Sequence, residues 1–144
     1  MIKVACETAL GLRSGMNVYG TDYDTPDGTC IRDYIHVSDL ANAHLRVYEH
    51  MKKQPVNKIY NCGYGQGYSV LDVIKAVETV SKSVIKKNIT NRRAGDPVAL
   101  IADSTMLKAE TGWSPSYFGL ESIIKTALNW EDVYQTIILN SKQR

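Results

Sequence analysis

A glycine-rich loop, GYGQG at residues 63–67, is the first stretch of this sequence that suggests chemistry. It lies between an apolar run and a helical pattern, where a turn could hold the phosphates of a dinucleotide. That fingerprint needs a further glycine three places after the second, but position 68 is Tyr68. We therefore interpret the loop as a tight turn between a strand and a helix, and we predict no cofactor-binding residue in this chain.

Tyr48 and Lys52 have the Tyr-x-x-x-Lys spacing in which a lysine lowers the pKa of a tyrosine, so that the phenolate acts as a base. The sequence has nine Tyr, so one such match is expected by chance. A lone His36 in an extended segment is interpreted as a structural, hydrogen-bonded residue. We predict no catalytic residue here.

Arg32 and Arg93 carry planar guanidinium groups, which remain charged and suit anionic partners. Taken singly, each has a simpler interpretation. Arg32 could form an ion pair with Asp33 or Asp39, and Arg93 could be a solvated loop residue. The rest of the sequence has to decide between these interpretations.

The cysteine and charge content excludes several classes of function. Three widely spaced cysteines and three histidines form no metal-ligand pattern, so we predict neither a metal site nor a disulfide framework. The net charge of +2, from 17 Lys and Arg against 15 Asp and Glu, is too small to indicate nucleic acid or a membrane surface as a partner. With no signal-peptide pattern and no long apolar run, we expect a cytoplasmic protein.

Strand and helix patterns alternate along the 144 residues, which predicts an α/β class in a single domain. We expect one structural region over residues 1–140 and a short tail at 141–144. The predicted extended segments are 16–19, 30–37, 58–62, 84–90 and 100–101. The predicted helices are 2–13, 38–53, 70–80, 104–111 and 120–140.

Small polar residues and one glycine set the predicted helix boundaries. Ser38 and Ser69 are good N-caps for the second and third helices. Asp103 is predicted to cap the fourth helix, and Gly112 to end it.

Four segments, taken together, resemble a known family. They are NVYGTDYDTPDGT (17–29), IRDYIHVSDLA (31–41), IYNCGYGQGYSV (59–70) and RRAGDP (92–97), the last followed by Ala102-Asp103 and Gly112-Trp113. Their order and spacing resemble the carboxy-terminal part of UDP-glucose 4-epimerases, over residues 2–131. The resemblance implies the carboxy-terminal, substrate-binding part of an extended short-chain dehydrogenase fold, with the Rossmann core missing.

The resemblance also implies which residues bind a UDP-sugar. Arg32 and Arg93 match the family's two diphosphate-contacting arginines, so we predict that their guanidinium groups converge on one pocket. Asp96 matches the carboxylate that accepts hydrogen bonds from the ribose hydroxyls.

The uracil and the sugar have their own matching positions. Asn17, Val18 and Tyr19 match the strand beside the uracil, with the Tyr19 ring in the packing position. Leu100 matches the position beside the sugar's C2 substituent. Because leucine is intermediate in size there, the acceptance of N-acetylated sugars stays open.

The reaction of the family requires parts that this chain lacks. The resemblance implies an isomerase of galactose metabolism that uses bound NAD and a Tyr-x-x-x-Lys base, both contributed by the preceding half of the enzyme. We therefore predict a UDP-sugar-binding chain that holds no cofactor and is inactive alone. Two alternatives stay open: a non-catalytic nucleotide-sugar-binding or assembly module, and part of a related dehydratase or decarboxylase. The DTPDGT stretch before IRDY favours the epimerase.

The resemblance has a consequence for partners. The strand that matches 58–62 extends the sheet of the missing half in the family, so its apolar surroundings need a cover here. We expect either a homo-oligomer or an association with an NAD-binding half, and no nucleic-acid or membrane partner.

Overall fold

A computed structural model describes residues 1–55 and 57–141, with side chains as far as residue 137. The end of the predicted tail, 142–144, lies outside the described residues. The helices are α1 (Ile2–Ala9), α2 (Val37–Lys53), α3 (Val70–Ser81), α4 (Thr105–Thr111) and α5 (Leu120–Ser141). The strands are β1 (Met16–Tyr19), β2 (Ile31–Asp33), β3 (Gly67–Ser69), β4 (Lys87–Thr90) and β5 (Ala99–Leu100).

The strands form two small sheets. In the first, β1 runs parallel to β4, with Tyr19 opposite Thr90. In the second, β2 lies between antiparallel β3 and parallel β5, so that Arg32 faces Tyr68 on one side and Leu100 on the other. The mixed α/β arrangement confirms the predicted fold class.

The main core lies where α1, α3 and α5 pack together against β1. Burial of each large apolar side chain there contributes about 1.5 to 3 kcal/mol. Its fully or nearly fully buried members include Cys6, Val18, Val73, Ile74, Val77, Ile85 and Ile124. A second cluster, under α2 and α4, consists of Ala43, Tyr64, Leu107, Trp113 and Ile123.

The predicted cap of α3 is confirmed. Ser69 accepts a hydrogen bond from the Asp72 amide at 2.9 Å, and the Asp72 carboxylate accepts one from the Ser69 amide at 3.0 Å. This reciprocal pair satisfies two amide groups that the helix itself leaves without partners. Gly112 ends α4 with φ of 67°, as predicted.

Other caps differ from the prediction. The N-cap of α2 is His36, not Ser38, because the His36 ring nitrogen Nδ1 accepts a hydrogen bond from the Ser38 amide at 3.1 Å. The N-cap of α4 is Ser104, although the neighbouring Asp103 carboxylate still accepts a bond from the Thr105 amide at 2.9 Å.

The prediction of a strand at 58–62 is wrong. In the described part of the chain, residues 57–62 have no strand neighbour, and a strand exists only through pairing. The side chains of Lys58 and Tyr60 instead bind Glu110 on α4, at 2.7 and 2.6 Å. The segment is held by α4, and its backbone edges pair with no strand among the residues that the structure describes.

None of the helices in the described part of the chain combines the length and apolar character that crossing a bilayer requires. Within the same residues, no three His, Cys, Asp or Glu side chains lie together as a metal site would need.

Candidate functional site

A cleft of about 260 Å³ opens between β1, β2 and the loop of residues 91–98. It brings together four of the residues that the sequence singled out, including both arginines. Its lining consists of Met1, Val4, Met16, Tyr19, Cys30, Arg32, Tyr34, Val70, Arg93 and Asp96.

Arg32 projects from β2 and is oriented by the loop across the cleft. Its Nη1 atom donates hydrogen bonds to the carbonyl oxygens of Ile31 at 2.7 Å and Pro97 at 3.0 Å. Its Nη2 atom lies 3.7 Å from the Asp96 carboxylate. The simpler interpretation, an ion pair with Asp33 or Asp39, is wrong. The guanidinium faces the cleft with its partner on the opposite loop.

Arg93 lies over the ring of Tyr19, with the guanidinium carbon 3.7 Å from the ring centroid. Such a cation–π contact contributes about 0.5 to 1 kcal/mol when exposed. The Tyr19 hydroxyl accepts a hydrogen bond from Asn17 at 3.3 Å. The hydrogen bond from Asn17, followed by the interaction of the hydroxyl with the Arg93 guanidinium, lowers the pKa of Tyr19 below its ordinary value.

The preceding Arg92 makes a parallel contact on the same segment of chain. Its guanidinium lies 4.1 Å from the centroid of the Tyr23 ring, and its Nε atom lies 2.6 Å from the Asp22 carboxylate. Two consecutive arginines therefore each stack on a tyrosine of segment 19–23. Of the two, Arg92 is also anchored by an ion pair.

Three predicted site residues are not among those that line the cleft in the described chain. The Val18 side chain is fully buried in the main core, so it can meet a ligand only through its backbone. Asn17 is exposed beside Asn88, whose amide donates to it at 3.4 Å. Leu100 is 56% exposed on β5.

Sequence reasoning missed several lining residues, of which Cys30 and Tyr34 are the clearest. Both flank Arg32 at alternate positions of an extended segment, and alternate residues of a strand share a face. This alternation could have predicted that Cys30 and Tyr34 line the same cleft as Arg32. Burial raises the pKa of Tyr34 to about 12, so its hydroxyl stays protonated at neutral pH.

The comparison with known proteins identifies the relatives. The sequence profile of the NAD dependent epimerase/dehydratase family matches residues 5–63. The UDP-glucose 4-epimerase of Azospirillum brasilense is 47% identical over 131 residues, which is 91% of this chain and 38% of the relative. This chain resembles the carboxy-terminal part of UDP-glucose 4-epimerases. It spans about two fifths of the length of such relatives.

Solved structures of these epimerases share the fold. The UDP-Glc/GlcNAc 4-epimerase from Campylobacter jejuni is 46% identical with a TM-score of 0.82, over 91% of this chain and 40% of that one. The UDP-glucose 4-epimerase from Bifidobacterium longum, solved in complex with NAD+ and UDP, is 41% identical with a TM-score of 0.82. That match covers 91% of this chain and 38% of the other.

The glycine loop at 63–67 does not fit the pyrophosphate of NAD, the cofactor in the family's description. Backbone amides that bind a phosphate must be free to donate to it. Here the Asp33 carboxylate already accepts hydrogen bonds from the amides of Tyr64 at 3.2 Å, Gly65 at 2.9 Å and Ala102 at 3.3 Å. The loop thus binds a carboxylate of its own chain.

A second carboxylate, that of Asp39, ties α2 to the loop before α5. It is 2% exposed and accepts hydrogen bonds from the Tyr64 hydroxyl and from the amides of Ser116 at 2.8 Å and Tyr117 at 3.0 Å. Burial alone would raise the pKa of Asp39, but these hydrogen bonds hold it below its usual value. Trp113 adds a bond to the Asp39 carbonyl at 3.1 Å.

An apolar depression of about 370 Å³, here called the α2 groove, lies against the second core cluster, whose members Ala43 and Leu107 belong to its lining. Its lining residue Tyr48 is 60% exposed, and Ile59, which precedes the lining residue Tyr60 in the chain, is 88% exposed. Lys52 lies 5.6 Å above the Tyr48 ring, in contact with its face. The groove is lined by Leu40, Ala43, His44, Val47, Tyr48, Met51, Tyr60, Cys62 and Leu107.

Proposed function

We propose that this chain is the UDP-sugar-binding part of a UDP-glucose 4-epimerase, which interconverts UDP-glucose and UDP-galactose. The observation that carries the proposal is the shared cleft of Tyr19, Arg32, Arg93 and Asp96. These residues come from three separate stretches of the sequence, yet their side chains line one concave surface.

The types of these residues suit the parts of a UDP-sugar. Two guanidinium groups offer charged donor forks to a diphosphate. The Tyr19 ring offers a flat apolar face to uracil, and the Asp96 carboxylate can accept hydrogen bonds from ribose hydroxyls. The Bifidobacterium longum relative was solved with UDP bound, which supports the same ligand class here.

Three further residues have subsidiary roles in this proposal. The uracil lies beside β1, where it meets the backbone of Val18 and the exposed side chain of Asn17 next to Tyr19. Leu100, one strand away from Arg32, lies beside the C2 substituent of the sugar. Because Asn17 and Leu100 lie outside the cleft lining, we expect their substitution to affect affinity less than that of the arginines.

The site is incomplete without the rest of such an enzyme. Its volume of about 260 Å³ lies just below the roughly 300 Å³ at which small-molecule pockets begin. NAD supplies hydride transfer in this family's chemistry, but the glycine loop is occupied by Asp33 and does not fit it. We therefore propose that the chain alone neither binds NAD tightly nor epimerises.

The α2 groove and the open edges of 57–62 form the surface for a partner. An NAD-binding half that pairs a strand with this edge would cover Ile59 and Tyr48. In its absence, a second copy of the chain is the expected cover. The three cysteines are free, which fits a reducing, cytoplasmic setting. A role in galactose metabolism follows from the proposed reaction.

Calorimetry with UDP tests the binding proposal directly. We expect saturable binding of UDP and no binding of NAD. An Arg46→Ala variant is the control, because it removes one guanidinium from an exposed ion pair on α2. If UDP does not bind at all, the proposal fails.

A mixing experiment separates a catalytic role from a binding module. The chain would be combined with the part of the Azospirillum brasilense enzyme outside the matched 131 residues, together with NAD and UDP-galactose. We expect conversion to UDP-glucose only in the mixture. Binding of UDP without conversion would favour the non-catalytic module.

A further inference from the structure

Arg93 and Tyr19 cover each other inside the cleft of the free chain, at 3.7 Å from guanidinium carbon to ring centroid. The contact occupies two groups that the proposed ligand also needs. The ring cannot accept a base on the face that the guanidinium covers. The small volume of the cleft is consistent with this mutual contact.

The neighbouring arginines differ in how firmly they are held. Arg92 has the Asp22 carboxylate at 2.6 Å and, in addition, the Tyr23 ring. Arg93 has no carboxylate within ion-pair distance among the residues that the structure describes. An exposed cation–π contact alone is weak. Arg93 can therefore leave its ring while Arg92 keeps the loop in place.

We propose that the Arg93–Tyr19 stack is a gate, which covers the base-stacking face in the free chain and opens when a diphosphate draws the guanidinium away. The proposal rests on the proposed function, because the gate presupposes a nucleoside diphosphate as the ligand. A nucleoside without phosphates must displace Arg93 from the ring, but it has no phosphate to which the displaced guanidinium could donate. A diphosphate removes Arg93 from the ring, so that the phosphate and base parts of the ligand assist each other.

This coupling has a defined size and is reciprocal. When the gate is already open, uridine no longer has to break the exposed cation–π contact between Arg93 and Tyr19. Its affinity should then rise about two- to fivefold, as an order-of-magnitude estimate. By linkage, saturating pyrophosphate should tighten uridine binding by that factor, and uridine should tighten pyrophosphate binding equally.

The decisive variant is Arg93→Ala, which leaves the gate permanently open. Calorimetry should show that uridine binds this variant about two- to fivefold more tightly than the wild-type chain, as estimated from an exposed cation–π contact. UDP should bind the variant more weakly, because its diphosphate loses one of two arginine donors. Saturating pyrophosphate, at an ionic strength matched with NaCl, should tighten uridine binding in the wild type and not in the variant. Arg46→Ala should change none of these affinities.

Each result decides one of the two proposals. If UDP binds the wild-type chain but Arg93→Ala leaves uridine binding unchanged or weaker, the gate is wrong and the proposed function stands. If pyrophosphate weakens uridine binding in the wild type, the two parts compete, and the gate is wrong as well. If UDP fails to bind the wild-type chain, the proposed function falls and the gate with it.

Discussion

The Nη2 atom of Arg32 lies 3.7 Å from the carboxylate of Asp96, across the cleft from β2 to the loop that follows β4. With the two carbonyl bonds of Arg32, this ion pair fixes the guanidinium before any ligand arrives. Preorganised donors lose less entropy on binding than mobile ones. Arg32 is therefore the fixed cation of the cleft, in contrast to the releasable Arg93.

Replacement of Arg32 by alanine should weaken UDP binding by about 10- to 100-fold, since hydrogen bonds to charged groups contribute roughly 1.5 to 3 kcal/mol. Uridine affinity should change little, because no phosphate is present to lose its donor. Parallel calorimetric titrations with UDP and uridine check this. An equal loss for both ligands would indicate a disturbed fold and contradict the proposed contact between Arg32 and the diphosphate.

The Asp39 carboxylate should be a major source of stability. Asp39→Asn removes the negative charge that accepts hydrogen bonds from the Tyr64 hydroxyl and the amides of Ser116 and Tyr117. We expect the free energy of unfolding to fall by about 1 to 3 kcal/mol, because this buried cluster is weakened. Urea unfolding followed by circular dichroism measures this change. Asp24→Asn is the matched control, because Asp24 is exposed in the loop before β2 and should be neutral within about 0.5 kcal/mol.

The contribution of Asp39 should also depend on pH. Its pKa in the folded chain lies below the value of about 3.9 for an unfolded aspartate, so the folded state favours the charged form. The stabilisation is complete above about pH 4 and is lost as the pH falls below that value. The stability difference between wild type and Asp39→Asn should therefore shrink at about pH 3. A difference that stays constant would refute the linkage.

The main core depends on α5, which contributes the fully buried Ile124. Ile124→Ala should cost about 2 to 5 kcal/mol in the free energy of unfolding, because it leaves a cavity among α1, α3 and α5. Ile137, on the same helix, is 56% exposed. Ile137→Ala makes the same chemical change and should cost less than about 0.5 kcal/mol. Similar urea midpoints for both variants would contradict the packing described here.

Local signals in the sequence predicted most of the elements. Ser69 and Asp72 have the spacing of a capping box, which requires nothing beyond the first turn of α3. The short strand β1 and the fourth helix, ended by Gly112, likewise followed from neighbouring residues. These features are decided within a few residues, and for that reason one sequence suffices to predict them.

Features that depend on distant partners were harder to predict. Residues 57–62 have the composition of a strand, but no other part of the described chain pairs with them. The strand β3 was missed because Gly67 lies in a glycine-rich stretch, and only its pairing with β2 makes it extended. The partner of Arg32 was also missed, since Asp96 is 64 positions away and the nearer Asp33 binds the glycine loop. Long-range pairing decided all three cases.

The surface around the α2 groove should drive association of the isolated chain. Ile59 is 88% exposed beside open backbone edges, an arrangement that favours pairing with another strand. We expect light scattering to show a dimer or larger oligomer whose proportion rises with concentration. Ile59→Lys should shift the population toward monomer, because it places a charge on the exposed segment 57–62, next to the groove-lining Tyr60, and a charge is costly to bury in an interface.

The control for that variant is Val84→Lys, which places the same charge on a side chain that is 91% exposed outside the groove. It should leave the association unchanged if the groove is the interface. Equal effects of the two lysines would mean that net charge, rather than this surface, governs assembly. If the wild-type chain stays monomeric at high concentration, the predicted association is wrong, because the groove and the open edges of 57–62 are then stable in contact with water.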